Sequence, residues 1–99
     1  MNTKELTSTV VIDETTTDDL LGKPYNVILL NDSFNDFLSV IALVARATRC
    51  GAKKAMDITM EAHNKGQAIA FTGHREMCEQ VERILSSAPC NLTTCILPV

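Results

Sequence analysis

Ninety-nine residues make one domain with a thin core, and 45% apolar with 21% charged side chains is the ordinary balance of a soluble globular protein. A formal net charge of −3, with Lys53-Lys54 the one adjacent basic pair, argues against general nucleic-acid binding, which rests on a basic surface. No apolar run approaches the ~20 residues of a membrane span, and the first twenty residues carry neither a signal-peptide core nor transit character, so a cytoplasmic protein is expected.

Residues 1–22 are Thr-rich and acidic, with Asp13, Glu14, Asp18 and Asp19, and only Val10-Val11-Ile12 interrupts the polarity. They read as a flexible N-terminal arm, and residues 23–99 as the folded domain. On composition alone, a tail without a role is the favoured explanation of the arm.

Tyr25–Leu30 reads as a strand and Asn31–Asp36 as a loop. Asn35 suits a helix N-cap, with Asp36 favourable in the first turn. The helix that follows, Phe37 to about Arg49, is apolar on two stripes: Phe37, Val40, Ile41 and Val44 on one, Leu38, Ala42 and Ala45 on another. Such a helix is buried on two sides or shares a face with a ligand. Gly51 punctuates the chain, and Ala52–Lys65 reads as a second helix closed by Gly66. Ala55, Met56, Thr59 and His63 share its stripe, with Ala62 alongside.

Ala68–Thr72 reads as a short strand, Gly73 as a turn, and Glu76 supports the next helix start. That helix, His74–Ser87, has Met77, Val81, Ile84 and Leu85 as its inner stripe. Pro89 breaks it, and Leu92–Leu97 reads as the last strand. The order β-α-α-β-α-β predicts an α+β fold, a three-stranded antiparallel sheet packed on three helices. Cys50, Cys78, Cys90 and Cys95 form no Cys-x-x-Cys pair, so reduced, apolar filler roles are expected.

The polar loop lies between the two most hydrophobic stretches of the chain. Asn31, Asp32, Ser33 and Asn35 offer acceptor groups there, and such a rim suits a cationic head such as an α-amino group. Phe37 and the Thr59/Ala62 face suit an uncharged tail beneath it. The combination fits a peptide N-terminus with a hydrophobic first side chain. On spacing alone, a well-capped turn explains the loop more simply.

Three longer patterns add to this. Pro24-Tyr25-Asn26-Val27-Ile28-Leu29-Leu30-Asn31-Asp32, followed by Phe34-Asn35, is the first. Met60-Glu61-Ala62-His63-Asn64-Lys65-Gly66-Gln67-Ala68 and Thr72-Gly73-His74-Arg75-Glu76 are the others, with a final strand beginning at Leu92. Together they resemble the ClpS family, small adaptors of the ATP-dependent Clp protease, over about residues 24–97. The resemblance implies an adaptor that binds proteins bearing Leu, Phe, Tyr or Trp at the N-terminus, the N-degron, and delivers them to a Clp AAA+ chaperone of the ClpA or ClpC type. It implies that Asn31 and His63 hold the amine, assisted by Asp32 and Ser33, with Asn35 and Asp36 supporting the loop. It implies a side-chain pocket of Phe37, Thr59, Ala62 and Leu92, and an arm that engages the chaperone. Chaperone docking is expected around the second helix, at Glu61 and Lys65. A monomer without cofactor or metal, of cyanobacterial kind, is expected.

The chain also departs from that family. Ser33 stands where a second acidic residue is usual, and a hydroxyl supplies no charge to an ammonium. Phe37 replaces a frequent Met and should narrow tolerance for β-branched side chains. Thr59 and Ala62 replace a larger Met and Val, so a roomier, slightly more polar floor is expected, favouring aromatic residues over Leu. These departures read as a diverged paralogue with altered N-terminal preference. The alternative is a chaperone-docking regulator that has lost N-terminal recognition.

Other classes fit less well. Ser33, His63 and Asp32 could be imagined as a hydrolytic triad, but no Gly-x-Ser-x-Gly elbow is present and no enzyme is expected. His74 and Cys78, with His63, are too few and too scattered for a metal site. The same element order resembles the C-terminal domain of the bacterial ribosomal stalk protein, so fold alone does not establish function.

Overall fold

The computed structural model describes residues 22–99, so the arm at residues 1–21 lies outside the described residues. Six elements follow in chain order: β1 (Tyr25–Leu30), α1 (Phe37–Thr48), α2 (Ala52–Lys65), β2 (Gln67–Gly73), α3 (Arg75–Leu85) and β3 (Thr94–Pro98). The sheet is antiparallel in the order β2-β1-β3, so β1 is its centre. The expected architecture is therefore present, with all three helices contributing to one core against one face of the sheet.

β1 explains that one-sidedness. Its alternate residues Tyr25, Val27 and Leu29 are buried in the core with Ala68 and Ala70 of β2. On the other face Ile69 and Leu97 are each about half exposed. The register shifts between Val27, which faces Phe71, and Ile28, which faces Ile69. Ala70 is the extra residue of this bulge. The shift turns Phe71 toward the core side although simple alternation would point it outward.

The helices differ from expectation mainly in rotation. On α1 the buried residues are Val40, Leu43, Val44 and Ala47, a single stripe at helical spacing. Leu38 is 78% exposed and Ala42 is exposed, so of the second stripe only Ala45 packs against the core. On α2 the buried side chains are Ala55, Ile58, Thr59 and Ala62, while Met56 and His63 are exposed. On α3 Cys78 replaces Met77 in the inner stripe beside Val81 and Leu85. The Cys78 thiol donates to the Tyr25 carbonyl at 3.3 Å, and burial pushes its pKa up, as suits an unreactive filler.

Element ends are also corrected. The N-cap of α1 is Asp36, which is extended and accepts from the Ser39 N–H at 2.9 Å; Asn35 is not the cap. α1 stops at Thr48, with Arg49 in the left-handed region at φ 60°. α3 stops at Leu85, and β3 begins at Thr94 after the buried Leu92.

Candidate functional site

Backbone bonds anchor both ends of the polar loop. The Leu30 N–H donates to the Thr93 carbonyl at 3.0 Å, and the Asn31 N–H to the Gly66 carbonyl at 2.9 Å. Gly66 ends α2 at φ 91°, a left-handed conformation that glycine adopts without steric cost. The chain reversal there carries Asn31 to the last turn of α2, the turn that bears His63.

Inside the loop Asp32 is the organiser. One carboxylate oxygen accepts from the Phe34 N–H at 2.6 Å and the Asn35 N–H at 3.2 Å; the other accepts from the Asn35 side-chain amide. Burial pushes the Asp32 carboxyl up, but the bonds from Phe34 and Asn35 together outweigh it and hold the group below its ordinary 3.8. The Asn35 amide also donates to the Cys90 carbonyl at 2.9 Å, pinning the loop to the segment before Leu92. Asp36 is lowered too, by its bonds from the side chain and backbone of Ser39.

Loop, helices and Leu92 close around a cavity of about 20 Å³, roughly the room of one water. Asn31, Asp32 and Asn35 line it from the loop, and His63 from α2. Thr59, Ala62 and Leu92, each 4% exposed or less, line it from below with Phe37. The Phe37 and His63 rings meet edge to face, 5.0 Å apart at 84°. Thus eight of the residues singled out in the sequence share one concavity. Leu29, Leu30 and Val40 line it as well. Val40 could have been found, since it sits one turn after Phe37 on the same stripe.

Ser33 and Asp36 do not line the cavity; both are exposed, and Asp36 is occupied in capping α1. Glu61 and Lys65 are exposed on α2, away from the cavity lining. The Thr59 hydroxyl donates to the Ala55 carbonyl at 2.8 Å, so it is spent on its own helix. The cavity is narrow, and the Thr59 hydroxyl, its proton given to Ala55, offers the floor only acceptor lone pairs.

Chemically, the lining offers an amide, a carboxylate and an imidazole on one rim, with no Lys or Arg among the lining residues. A small cation with several donors fits such a rim. A Ser33–His63–Asp32 triad is not assembled, because Ser33 lies outside the cavity. His74 caps α3 and the Cys78 thiol is buried in the core. Among the described residues no group of three His, Cys, Asp or Glu side chains is placed to hold a metal ion. No helix among them is long and apolar enough to cross a membrane.

The model of one protein family, the ATP-dependent Clp protease adaptor protein ClpS, matches residues 22–91. The Clp protease adapter ClpS of Thermosynechococcus vestitus is 39% identical over 56 residues, 56% of this chain and 60% of that protein. That of a Nostoc species is 38% identical over 65 residues, 65% of this chain and 67% of that one. Among solved structures, Agrobacterium tumefaciens ClpS2 bound to L-phenylalaninamide has the same fold, with a TM-score of 0.72 at 23% identity. The likeness covers 79% of this chain and 99% of the Agrobacterium one.

Proposed function

We propose, since this chain belongs to the ClpS family of Clp protease adaptors, that it captures proteins by a bulky hydrophobic N-terminal residue and delivers them to a Clp AAA+ chaperone of the ClpA or ClpC type. It does so as a cytoplasmic monomer, without catalysis. The observation that carries this reading is the single cavity whose rim is Asn31, Asp32 and His63 and whose lower wall is Phe37, Thr59, Ala62 and Leu92. The L-phenylalaninamide bound to the Agrobacterium relative carries a free α-amine and an aromatic side chain on one carbon, the chemistry that such a rim and floor would take.

In this reading the α-ammonium donates to the Asn31 side-chain oxygen and to a His63 ring nitrogen, with the Asp32 charge nearby. Both Asp32 oxygens already accept loop bonds, but a carboxylate has about four lone-pair sites, so capacity remains. A side chain as large as Leu or Phe enters only after Phe37 turns away from His63, because about 20 Å³ holds neither. Phe37 is 43% exposed, so the movement carries its ring toward solvent rather than into the core.

The test is anisotropy of a labelled peptide with N-terminal Phe. A charge-assisted hydrogen bond contributes ~1.5–3 kcal/mol, so His63→Ala and Asn31→Ala should each weaken binding by about ten- to a hundredfold. Unchanged affinity in both variants would remove the site from the account.

A second reading is a docking regulator without N-terminal recognition. It is favoured by one observation: Ser33, where the family places a second carboxylate, is exposed and outside the cavity. On that reading the chain slows or redirects a Clp chaperone-protease equally well whatever the first residue of the substrate. Degradation of matched Phe- and Ala-initiated reporters separates the two.

A further inference from the structure

The two most exposed large apolar side chains among the described residues stand beside the amine cage. Phe34 is 97% exposed and Leu38 78% exposed. Each is the chain neighbour of a residue that lines the cavity: Phe34 of Asn35, and Leu38 of Phe37. Neither belongs to the core, and neither lines the cavity itself. A phenyl ring left in water forgoes the stabilisation that burial would bring, until something covers it.

The exposure is built into the loop. The Phe34 N–H donates to the Asp32 carboxylate at 2.6 Å, and the Asn35 N–H donates to the same oxygen at 3.2 Å. The Asn35 side chain is tied to the Cys90 carbonyl at 2.9 Å, and Asp36 accepts from the Ser39 N–H at 2.9 Å as the cap of α1. The backbone on both sides of Phe34 is therefore fixed while its ring stays in solvent. A ligand that covers a ring on so fixed a loop has little backbone left to order.

What covers it follows from the path of a bound peptide, and so rests on the reading of the cavity as an amine cage. With the α-amine at Asn31, Asp32 and His63 and the first side chain below, the first Cα sits at the rim and the chain leaves through the mouth. The second Cα lies about 3.8 Å further on, the same step that separates Asn35, on the rim, from Phe34. The second side chain thus emerges beside the loop rather than over the cavity floor. Phe34 and Leu38 offer it only carbon, and the charged groups nearest to them in the chain, Asp32 and Asp36, are both carboxylates. An apolar side chain would bury the Phe34 ring, whereas an acidic one would meet like charge.

We infer that Phe34, with Leu38 beside the gate, reads the second residue of the substrate, selecting an apolar side chain there and disfavouring Asp or Glu. The first residue then decides whether a protein is captured, and the second how tightly.

The experiment is fluorescence anisotropy with the full 99-residue chain and three peptides that begin Phe-Leu, Phe-Ala and Phe-Asp and are otherwise identical. The parent should bind Phe-Leu about fivefold more tightly than Phe-Ala, and Phe-Asp least tightly. Phe34→Ala should bring Phe-Leu to the affinity of Phe-Ala while leaving Phe-Ala itself within about twofold. Phe34→Leu, which keeps an apolar side chain, should preserve most of the difference. So exposed a side chain can be replaced without loss of the fold, and the Phe-Ala affinity reports that the cage is unharmed. A Phe-Leu to Phe-Ala ratio that is the same in Phe34→Ala as in the parent would overturn the inference and leave the cage standing, with Phe34 turned toward another partner such as the chaperone. Failure of all three peptides to bind the parent would remove the cage reading and this inference together.

Discussion

Asp32 engages both carboxylate oxygens in holding the loop and still lines the cavity. Its pKa is lowered in the fold, so its stabilising contribution is complete above the ordinary 3.8 and is lost as pH falls through the lower folded value. Asp32→Asn should flatten the stability curve below pH 3.8 relative to the parent, as read by urea unfolding at a series of pH values. An unchanged acid limb would deny Asp32 that role. Ser33→Asp adds a charge at an exposed position, where an ion pair contributes up to ~1 kcal/mol; affinity for a Phe-initiated peptide should rise by less than about fivefold, and the gain should disappear in high salt. Thr59→Val keeps the shape and removes a hydroxyl already bonded to Ala55. Peptide affinity should change by less than about twofold; a larger loss would mean that the hydroxyl reaches the ligand.

The elements matter to the site through their ends. Gly66 closes α2 in a left-handed conformation, and its carbonyl holds Asn31. Gly66→Ala forces a β-carbon into that conformation at a cost of ~1–2 kcal/mol, and affinity should fall with stability because Asn31 loses its anchor. Chemical denaturation and peptide titration on the same variant check both. Element ends were also where the sequence was least legible. Asn35 and Asp36 are both good caps by residue type, and the choice between them depended on Cys90, which is distant in sequence and claims the Asn35 amide. Met77 and Cys78 differ by about 100° around α3, and periodicity cannot resolve a single residue when both are apolar. Leu92 reads as a strand residue because it is aliphatic and buried, yet its N–H donates to the Leu85 carbonyl at 3.0 Å and the ladder begins at Thr94. By contrast α2 was legible to its ends, since Gly51 and Gly66 bracket an uninterrupted helix pattern.

At the scale of the whole molecule the site is an edge of the core. Leu92, 2% exposed, belongs both to the core cluster and to the cavity wall, as does Val40. Leu92→Ala should therefore cost ~2–5 kcal/mol, a drop of several to tens of degrees in Tm for a domain this size, and should also enlarge the cavity. The cavity-lining residues were legible as a group because the loop and the last turn of α2 carry most of them in short, recognisable stretches. The width of the cavity was not legible: it depends on how Phe37 sits against His63, which no spacing in the sequence encodes. The central claim is that a free α-amino group is what the rim of Asn31, Asp32 and His63 holds. Its most direct test is a titration of the full chain with one Phe-initiated peptide in two forms, free and N-acetylated. The expected result is saturable binding of the free peptide and at least a hundredfold loss on acetylation. Equal affinity for the two forms would contradict the account, because the cage would then be reading something other than an amine.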